Sequence, residues 1–208
     1  MEIYGFMQQY HSINDEAFFT LLSQWMEKAE SSESNDPHAA VLATADRKGF
    51  PNARVVLIKY FNKDGFVFFT NTQSFKGQEI KENPQASLCF HWKSLCRQLR
   101  VRGLVENYCP SKSDGYYASR PRGSQIGAWA SKQSQKMESI DILKKSVQKY
   151  SALHDDSQEI PRPIWWSGFL IRPLYMEFWE ERPYRLHERI VFSRETITGE
   201  WKKFMLYP

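Results

Sequence analysis

Cysteine is scarce in this chain. The three residues present, Cys89, Cys96 and Cys109, are odd in number and form no CxxC pair. A disulfide framework and a cysteine-rich zinc site are therefore not expected, and a reducing cytoplasmic setting is. No run of 18 apolar residues occurs, so no membrane-spanning helix is expected. The opening Met1-Glu2-Ile3-Tyr4-Gly5-Phe6 lacks the basic-then-apolar order of a secretory signal. Excess charge is small: 28 Lys and Arg against 24 Asp and Glu, a formal +4, where a nucleic-acid binder needs a strong basic stripe. GxSxG, P-loop and GxGxxG motifs are all missing. His11, His38, His91, His154 and His187 are scattered, and no second His or Cys stands at ligand spacing from His187, so no metal site is expected.

What remains is a greasy chain of 208 residues, 41% hydrophobic and 15% aromatic, enough for one filled core. A loose arm is expected over residues 1–13. Phe18, Leu21, Leu22, Trp25 and Ala29 then mark one helix face, with Asn14 or Asp15 as its cap. The period turns to β at Ala39–Ala45, Arg54–Phe61 and Phe66–Thr70, spaced too closely for parallel crossovers and so read as an antiparallel meander. Ser74–Asn83 reads as a helix stopped by Pro84. Strands at Gln85–Trp92 and Gln98–Tyr108 follow. Residues 111–153 read as helical with a break at Pro121-Arg122-Gly123, and the last helix is expected at Glu138–Leu153. From Pro161 a β-rich tail is expected at Gly168–Arg172, Tyr175–Glu180, Arg189–Arg194 and Trp201–Tyr207. Strand-rich ends around a helical insert predict one α+β domain, 1–208, with a barrel-like antiparallel sheet.

Four segments place cations and hydrogen-bonding groups in apolar surroundings. In Arg54-Val55-Val56-Leu57-Ile58-Lys59, strand alternation puts the two cations on opposite faces, about 16 Å apart if extended, which suits two separate anions or two solvated strand ends. Phe69–Gly77 runs from a strand through small polar residues to a helix start with a Lys, a phosphate site or an ordinary cap. Tyr116–Ser134 holds two Arg, one Lys, four Ser and two Gln with no acid, a surplus of donors that fits a polyanion or a solvated loop. In the fourth, Glu177-Phe178-Trp179-Glu180 precedes Arg182 and Arg185-Leu186-His187-Glu188-Arg189; if extended, Arg185, His187 and Arg189 share a face beside a Trp. With no acid–base pair and no metal cluster, difficult chemistry would fall to a cofactor.

Those same segments resemble the pyridoxamine 5′-phosphate oxidase family from about Asp15 to Pro208: RVVLIK (54–59), SRPRGSQIGAWASKQS (119–134), EFW (177–179) and RLHER (185–189) stand in the family's order and spacing. The resemblance implies an antiparallel FMN-binding split β-barrel with flanking helices, a homodimer with FMN between subunits, and residues 161–208 as a dimerisation and substrate segment. It implies that Arg54, Lys76, Gln133 and Ser134 hold the FMN phosphate and ribityl chain. Val55, Val56, Leu57, Ile58, Lys59, Phe69 and Thr70 would line the flavin, with Gln98, Trp179 and Arg189 at its ring. Lys59, Tyr116, Arg120 and Ser124 would clamp the substrate 5′-phosphate, and Arg185, Leu186 and His187 would meet the substrate ring, with Arg185 and His187 catalytic. The implied reaction is hydride transfer from C4′ of pyridoxamine or pyridoxine 5′-phosphate to flavin N5, giving pyridoxal 5′-phosphate, with O2 reduced to H2O2.

The sequence departs from the pattern in four places. Phe75 replaces an Arg before Lys76, Ser167 replaces the first Gly of Trp-Gly-Gly, Glu188 replaces the Asp of RLHDR, and Met205-Leu206-Tyr207-Pro208 replaces Arg-Leu-Ala-Pro. Three other readings stay open: a sibling flavoenzyme with another substrate, a non-catalytic binder of FMN or pyridoxal phosphate, and a nucleic-acid module, the last opposed by the low net charge.

Overall fold

The computed structural model describes residues 12–13, 15–154 and 159–208. Most of the expected arm, residues 1–11, lies outside the described residues, while Ser12–Ile13 forms a short strand, β1, against Trp201 and Lys202. Asn14, the expected cap, is also outside them, and Asp15 is already helical. Helix α1 (Asp15–Ser32) buries Phe18, Leu22, Trp25 and Ala29 of the expected face, together with Met26.

Strands β2 (Ala39–Ala45) and β3 (Pro51–Leu57) form an antiparallel hairpin, as do β4 (Tyr60–Asn62) and β5 (Gly65–Asn71). In the second turn Asn62 Oδ1 accepts the amides of Asp64 (2.8 Å) and Gly65 (3.2 Å). The expected strand 54–61 is thus broken, and the three strands do not form a meander. The cause is a change of partner between consecutive amides: Ile58 N–H donates to His38 O at 3.0 Å, and Lys59 N–H donates to Val67 O at 2.8 Å. Helix α2 (Phe75–Glu82) starts where Ser74 Oγ accepts Gly77 N–H at 3.4 Å, and it stops at Asn83, before Pro84. Strands β6 (Gln85–Trp92) and β7 (Arg97–Asn107) follow, then α3 (Pro110–Ser119), α4 (Arg122–Ala130) and α5 (Ile140–Leu153). The break at Pro121 was expected; the loop after Ala130 was not, and in it Ser134 takes φ +71°.

The first two of the four strands expected in the tail are one, β8 (Trp166–Glu180); β9 (Glu188–Ser193) and β10 (Trp201–Met205) complete the sheet. Pro173 interrupts nothing, because the pairing register shifts opposite Arg102/Gly103, where a residue without N–H is tolerated. The sheet runs β1-β10-β9-β8-β7-β6-β2-β3, with β5 also on β8. One edge of β8 pairs with β7; the other pairs with β5 over 166–171 and with β9 over 175–180. Two partners in succession on one edge curl the sheet into a half-barrel. Phe66, Phe68, Phe90, Trp92, Phe178, Phe192 and Trp201 fill it with α1, each worth about 1.5–3 kcal/mol or more on burial. Tyr117, Ile126, Ile160 and Trp166 form a second, smaller cluster between the helical insert and the start of β8.

Gly65 makes the tightest crossing, with φ +145° and a hypothetical Cβ 2.0 Å from Ile171 O. Gly65→Ala should cost about 3 kcal/mol and lower Tm by roughly 6–12 °C, measured by thermal melting. A Tm within 2 °C or so of the parent would show that β5 and β8 can separate freely.

Candidate functional site

Three groups of polar side chains gather around β8. In the first, Arg54 turns from β3 onto α2. Its Nη2 lies 3.1 Å from Glu79 Oε2, and its Nη1 donates to Thr44 Oγ1. Asn52 donates to the other Glu79 oxygen at 2.9 Å. Burial pushes the Glu79 carboxyl up, but the bonds from Thr44, Asn52 and Arg54 outweigh it and hold the group below the usual carboxylate range. Lys76, on the same helix, is buried, and among the described residues its Nζ hydrogen-bonds to neutral oxygens, Gln133 Oε1 at 3.3 Å and Ser74 Oγ at 3.5 Å. Thr70 Oγ1 donates to the same Gln133 oxygen at 3.1 Å. Burial pushes the Lys76 ammonium down, Arg54 adds to the effect, and Glu79 opposes it. Two cations thus share one carboxylate in a partly desolvated place. That is a poorly compensated charge, and a phosphate ester would complete it.

In the second group, aromatic rings form a floor. Phe69 stacks on Tyr116 at 4.2 Å and on Trp166 at 5.2 Å, and Tyr60 meets Tyr116 edge-on at 5.8 Å. The Arg120 guanidinium lies over Trp166 at 4.8 Å. Its Nη1 is buried and, among the described residues, finds no hydrogen-bond partner. Burial pushes Arg120 down, and it pushes the Tyr117 phenol up to about 12; the Tyr117 hydroxyl donates to Gln125 O at 2.8 Å. Proline at 121 ends α3 and restarts the chain as α4, which places Ser124 in the first turn of that helix. Lys59, exposed between β3 and β4, adjoins Tyr60.

The third group sits at the other end of β8. Gln98 and Arg189 flank Trp179 in register, and the His187 ring lies 4.6 Å from the Trp179 ring. Residues 183–187 are not extended: Tyr184 (φ +60°) and Arg185 (φ +61°) are both left-handed. The cationic ridge expected of Arg185, His187 and Arg189 therefore does not form. Arg185 and Leu186 are exposed, while Arg189 Nε donates to Glu177 at 2.8 Å and its Nη1 donates to Tyr207 O at 3.0 Å. Glu177 is buried among Arg189, Arg100 and Tyr175. Burial pushes its carboxyl up, but those three bonds outweigh it and hold it low.

Arg54, Thr70, Lys76 and Gln133 therefore meet, as do Tyr116 and Arg120 beside Phe69. Ser134 follows Gln133 in the exposed loop, and Val55 and Leu57 face outward while Ile58 is buried. Gln98, Trp179, His187 and Arg189 form a separate group. Ser167, opposite Thr70, and Trp179 are twelve residues apart on β8, roughly 40 Å of strand. Sequence reasoning missed Thr44, Glu79 and Trp166. An acid three residues after a helix-start Lys was the available signal for Glu79; nothing marked Thr44.

A family model described as pyridoxamine 5′-phosphate oxidase matches residues 26–154, and one described as the pyridoxine 5′-phosphate oxidase C-terminal dimerisation region matches 166–208. The chain is 55% identical over 190 residues to a pyridoxine/pyridoxamine 5′-phosphate oxidase of Brucella canis, covering 91% of this chain and 93% of that one. A relative of the same name from Brucella abortus (strain 2308) is also 55% identical, with 91% of each chain covered. Among solved structures, PhzG from Burkholderia lata, in complex with tetrahydrophenazine-1-carboxylic acid, superposes with TM-score 0.84 at 29% identity over 91% of both chains. A pyridoxamine 5′-phosphate oxidase-related, FMN-binding protein from Nostoc punctiforme shares the fold, with TM-score 0.71 at 16% identity over 91% of this chain and 96% of that one.

Because the folded Glu177 carboxyl titrates below its unfolded value, its stabilisation is complete above pH about 4.5 and is lost as the pH falls further. Glu177→Gln should therefore cost about 3–5 kcal/mol at pH 7, by leaving two arginines unpaired, and the gap to the parent should narrow toward pH 3 in urea unfolding. A gap constant with pH would contradict the assignment.

Proposed function

The chain belongs to the pyridoxamine 5′-phosphate oxidase family, and from that premise we propose that it oxidises pyridoxamine and pyridoxine 5′-phosphates to pyridoxal 5′-phosphate as an FMN-dependent homodimer. The observation that carries the substrate assignment is Arg120: a buried guanidinium nitrogen without a hydrogen-bond partner among the described residues, over an aromatic floor that includes Tyr116. A phosphate monoester satisfies that nitrogen, and Lys59 brings a second cation from the β3–β4 connection.

The residues present fit FMN. Lys76 and Arg54, with Thr70, Gln133 and Ser134, would hold its phosphate and ribityl chain; the β3 segment Val55–Ile58 and Phe69 would line it, and Gln98, Trp179 and Arg189 would meet its ring from the partner protomer. When bound, FMN supplies the two-electron acceptor, renewed by O2 with release of H2O2, that no side chain here can supply. The protein's own work is placement. Clamping the substrate phosphate makes the reaction effectively intramolecular, and the floor of Phe69, Tyr116 and Trp166 keeps water from one side. His187 Nδ1 accepts the Arg182 amide at 3.3 Å, so its proton belongs on Nε2, which is left to donate to the substrate amine or hydroxyl. Arg185 adds an exposed cation beside it. These two residues and the phosphate clamp lie at opposite ends of β8, so one protomer's clamp would work with its partner's Arg185 and His187. The matched dimerisation region, 166–208, contains β8 and the Arg185–Arg189 segment, which supports this reading.

The fold alone does not choose the substrate, since PhzG carries a different ligand on it. An assay of H2O2 release with both phosphate esters, with and without added FMN, tests the proposal; no peroxide with either ester, or far faster turnover of another amine, would overturn it. Arg120→Ala should lose about 1.5–3 kcal/mol of substrate binding, roughly 10- to 150-fold in kcat/KM, with flavin retained. Arg185→Ala should cut kcat strongly while flavin stays bound; loss of flavin instead would show a misassigned role. Phe75, 60% exposed before Lys76, stands where a cation would reach the FMN phosphate. Phe75→Arg should tighten FMN about tenfold or more in a fluorescence titration, and an unchanged Kd would mean that another group fills that role.

A further inference from the structure

The link between β8 and β9 carries a conflict and a device that resolves it. Glu180 and Glu188 face each other across the strand pair, where like charges repel. Arg182 Nη2 sits between them, 3.1 Å from Glu180 Oε2 and 2.8 Å from Glu188 Oε2. Arg97, from β7, takes the remaining Glu180 oxygen at 3.0 Å. The segment closed by this bridge holds two consecutive left-handed residues, Tyr184 and Arg185, neither of them glycine. Such backbone persists only where surrounding structure enforces it. Within the segment the Arg182 amide donates to His187 Nδ1 at 3.3 Å, Glu181 N–H donates to Cys96 O at 3.0 Å, and Leu186 N–H donates to Pro183 O at 3.2 Å. The Arg182 side chain is 43% exposed, and an isolated surface pair of that kind is worth little. Here, however, one nitrogen joins the two ends of a strained loop.

We propose that Arg182 is a positioning residue: by bridging Glu180 and Glu188 it holds residues 181–187 in the conformation that presents Arg185 and His187. The proposal rests on the functional reading above, in which those two residues meet the substrate. Because a single nitrogen makes both contacts, lysine can replace it in part. Because the bridge neutralises a Glu–Glu pair, removing one of those charges should partly replace it too.

The test uses FMN-loaded full-length enzyme and four variants: Arg182→Ala, Arg182→Lys, Arg182→Ala with Glu188→Gln, and Arg185→Ala as the control. Arg182→Ala should lower kcat/KM about tenfold with flavin content unchanged. The 15N shift of His187 Nδ1 should move away from the hydrogen-bonded acceptor value. Arg182→Lys should recover most of both signals, and the added Glu188→Gln should recover part of the activity. If Arg182→Ala keeps parental kcat/KM and His187 shifts while Arg185→Ala is impaired, the bridge is a surface pair only and the proposal falls alone. If Arg185→Ala is also unimpaired, the site reading falls and takes the proposal with it. Should Arg182→Ala not fold, an Arg182→Lys enzyme with neither parental activity nor the His187 signal would refute the bridge.

Discussion

Strand β8 fixes where every reactive group can be. Its first six residues pair with β5 and its last six with β9, on the same edge, and β7 holds the opposite edge along most of its length. A side chain attached near Trp166 cannot approach one attached near Trp179 without breaking that ladder. The groups read as binding anions belong to the first end and the Trp179–His187 group to the second. The homodimer is therefore part of the proposed chemistry: two incomplete half-sites meet when the strand of one protomer runs past the other. An isologous contact of this kind would make two equivalent sites at once.

Charge is distributed to match. Where the chain needs a cation for structure, it gives it a carboxylate: Arg100 and Arg189 on Glu177, Arg97 and Arg182 on Glu180. Two of the cations read as binding phosphate have none. Among the described residues Lys76 has neutral oxygens as its hydrogen-bond partners, and Arg120 has a buried nitrogen with no acceptor. Burying a cation without an anion is costly, so such positions persist where a ligand supplies the missing charge. Glu79 is the intermediate case: it orients Arg54 and compensates Lys76 only in part, so the cluster keeps an excess of positive charge.

Much of this was legible in the residues. The α1 face, the β2 strand, the Ser74 cap and the stop at Pro84 follow from local period and local hydrogen bonding, which a sequence displays. The family segments group Arg54 with Lys76 and Tyr116 with Arg120, and the structure brings each pair near one another. What was not legible depends on distant partners. Nothing in Ile58-Lys59 announces that consecutive amides change strands, and Pro173 looks like a strand end until a register shift absorbs it. The condition of an extended 185–189 segment fails over 185–187, because Tyr184 and Arg185 adopt a backbone that residue type does not advertise, while Glu188 and Arg189 are extended. The bridging contacts of Arg182 are not visible in the sequence, because its acids come from two strands that only the fold brings together.

Subunit mixing tests the central claim most directly. Arg120→Ala and Arg185→Ala homodimers, each impaired alone, are unfolded and refolded together in equal amounts. If a site joins one protomer's clamp to its partner's Arg185, each mixed dimer has one intact site, and about a quarter of parental activity should return on random assortment. Activity no greater than the mean of the two impaired parents would show that both groups serve the same subunit's site and would contradict the account.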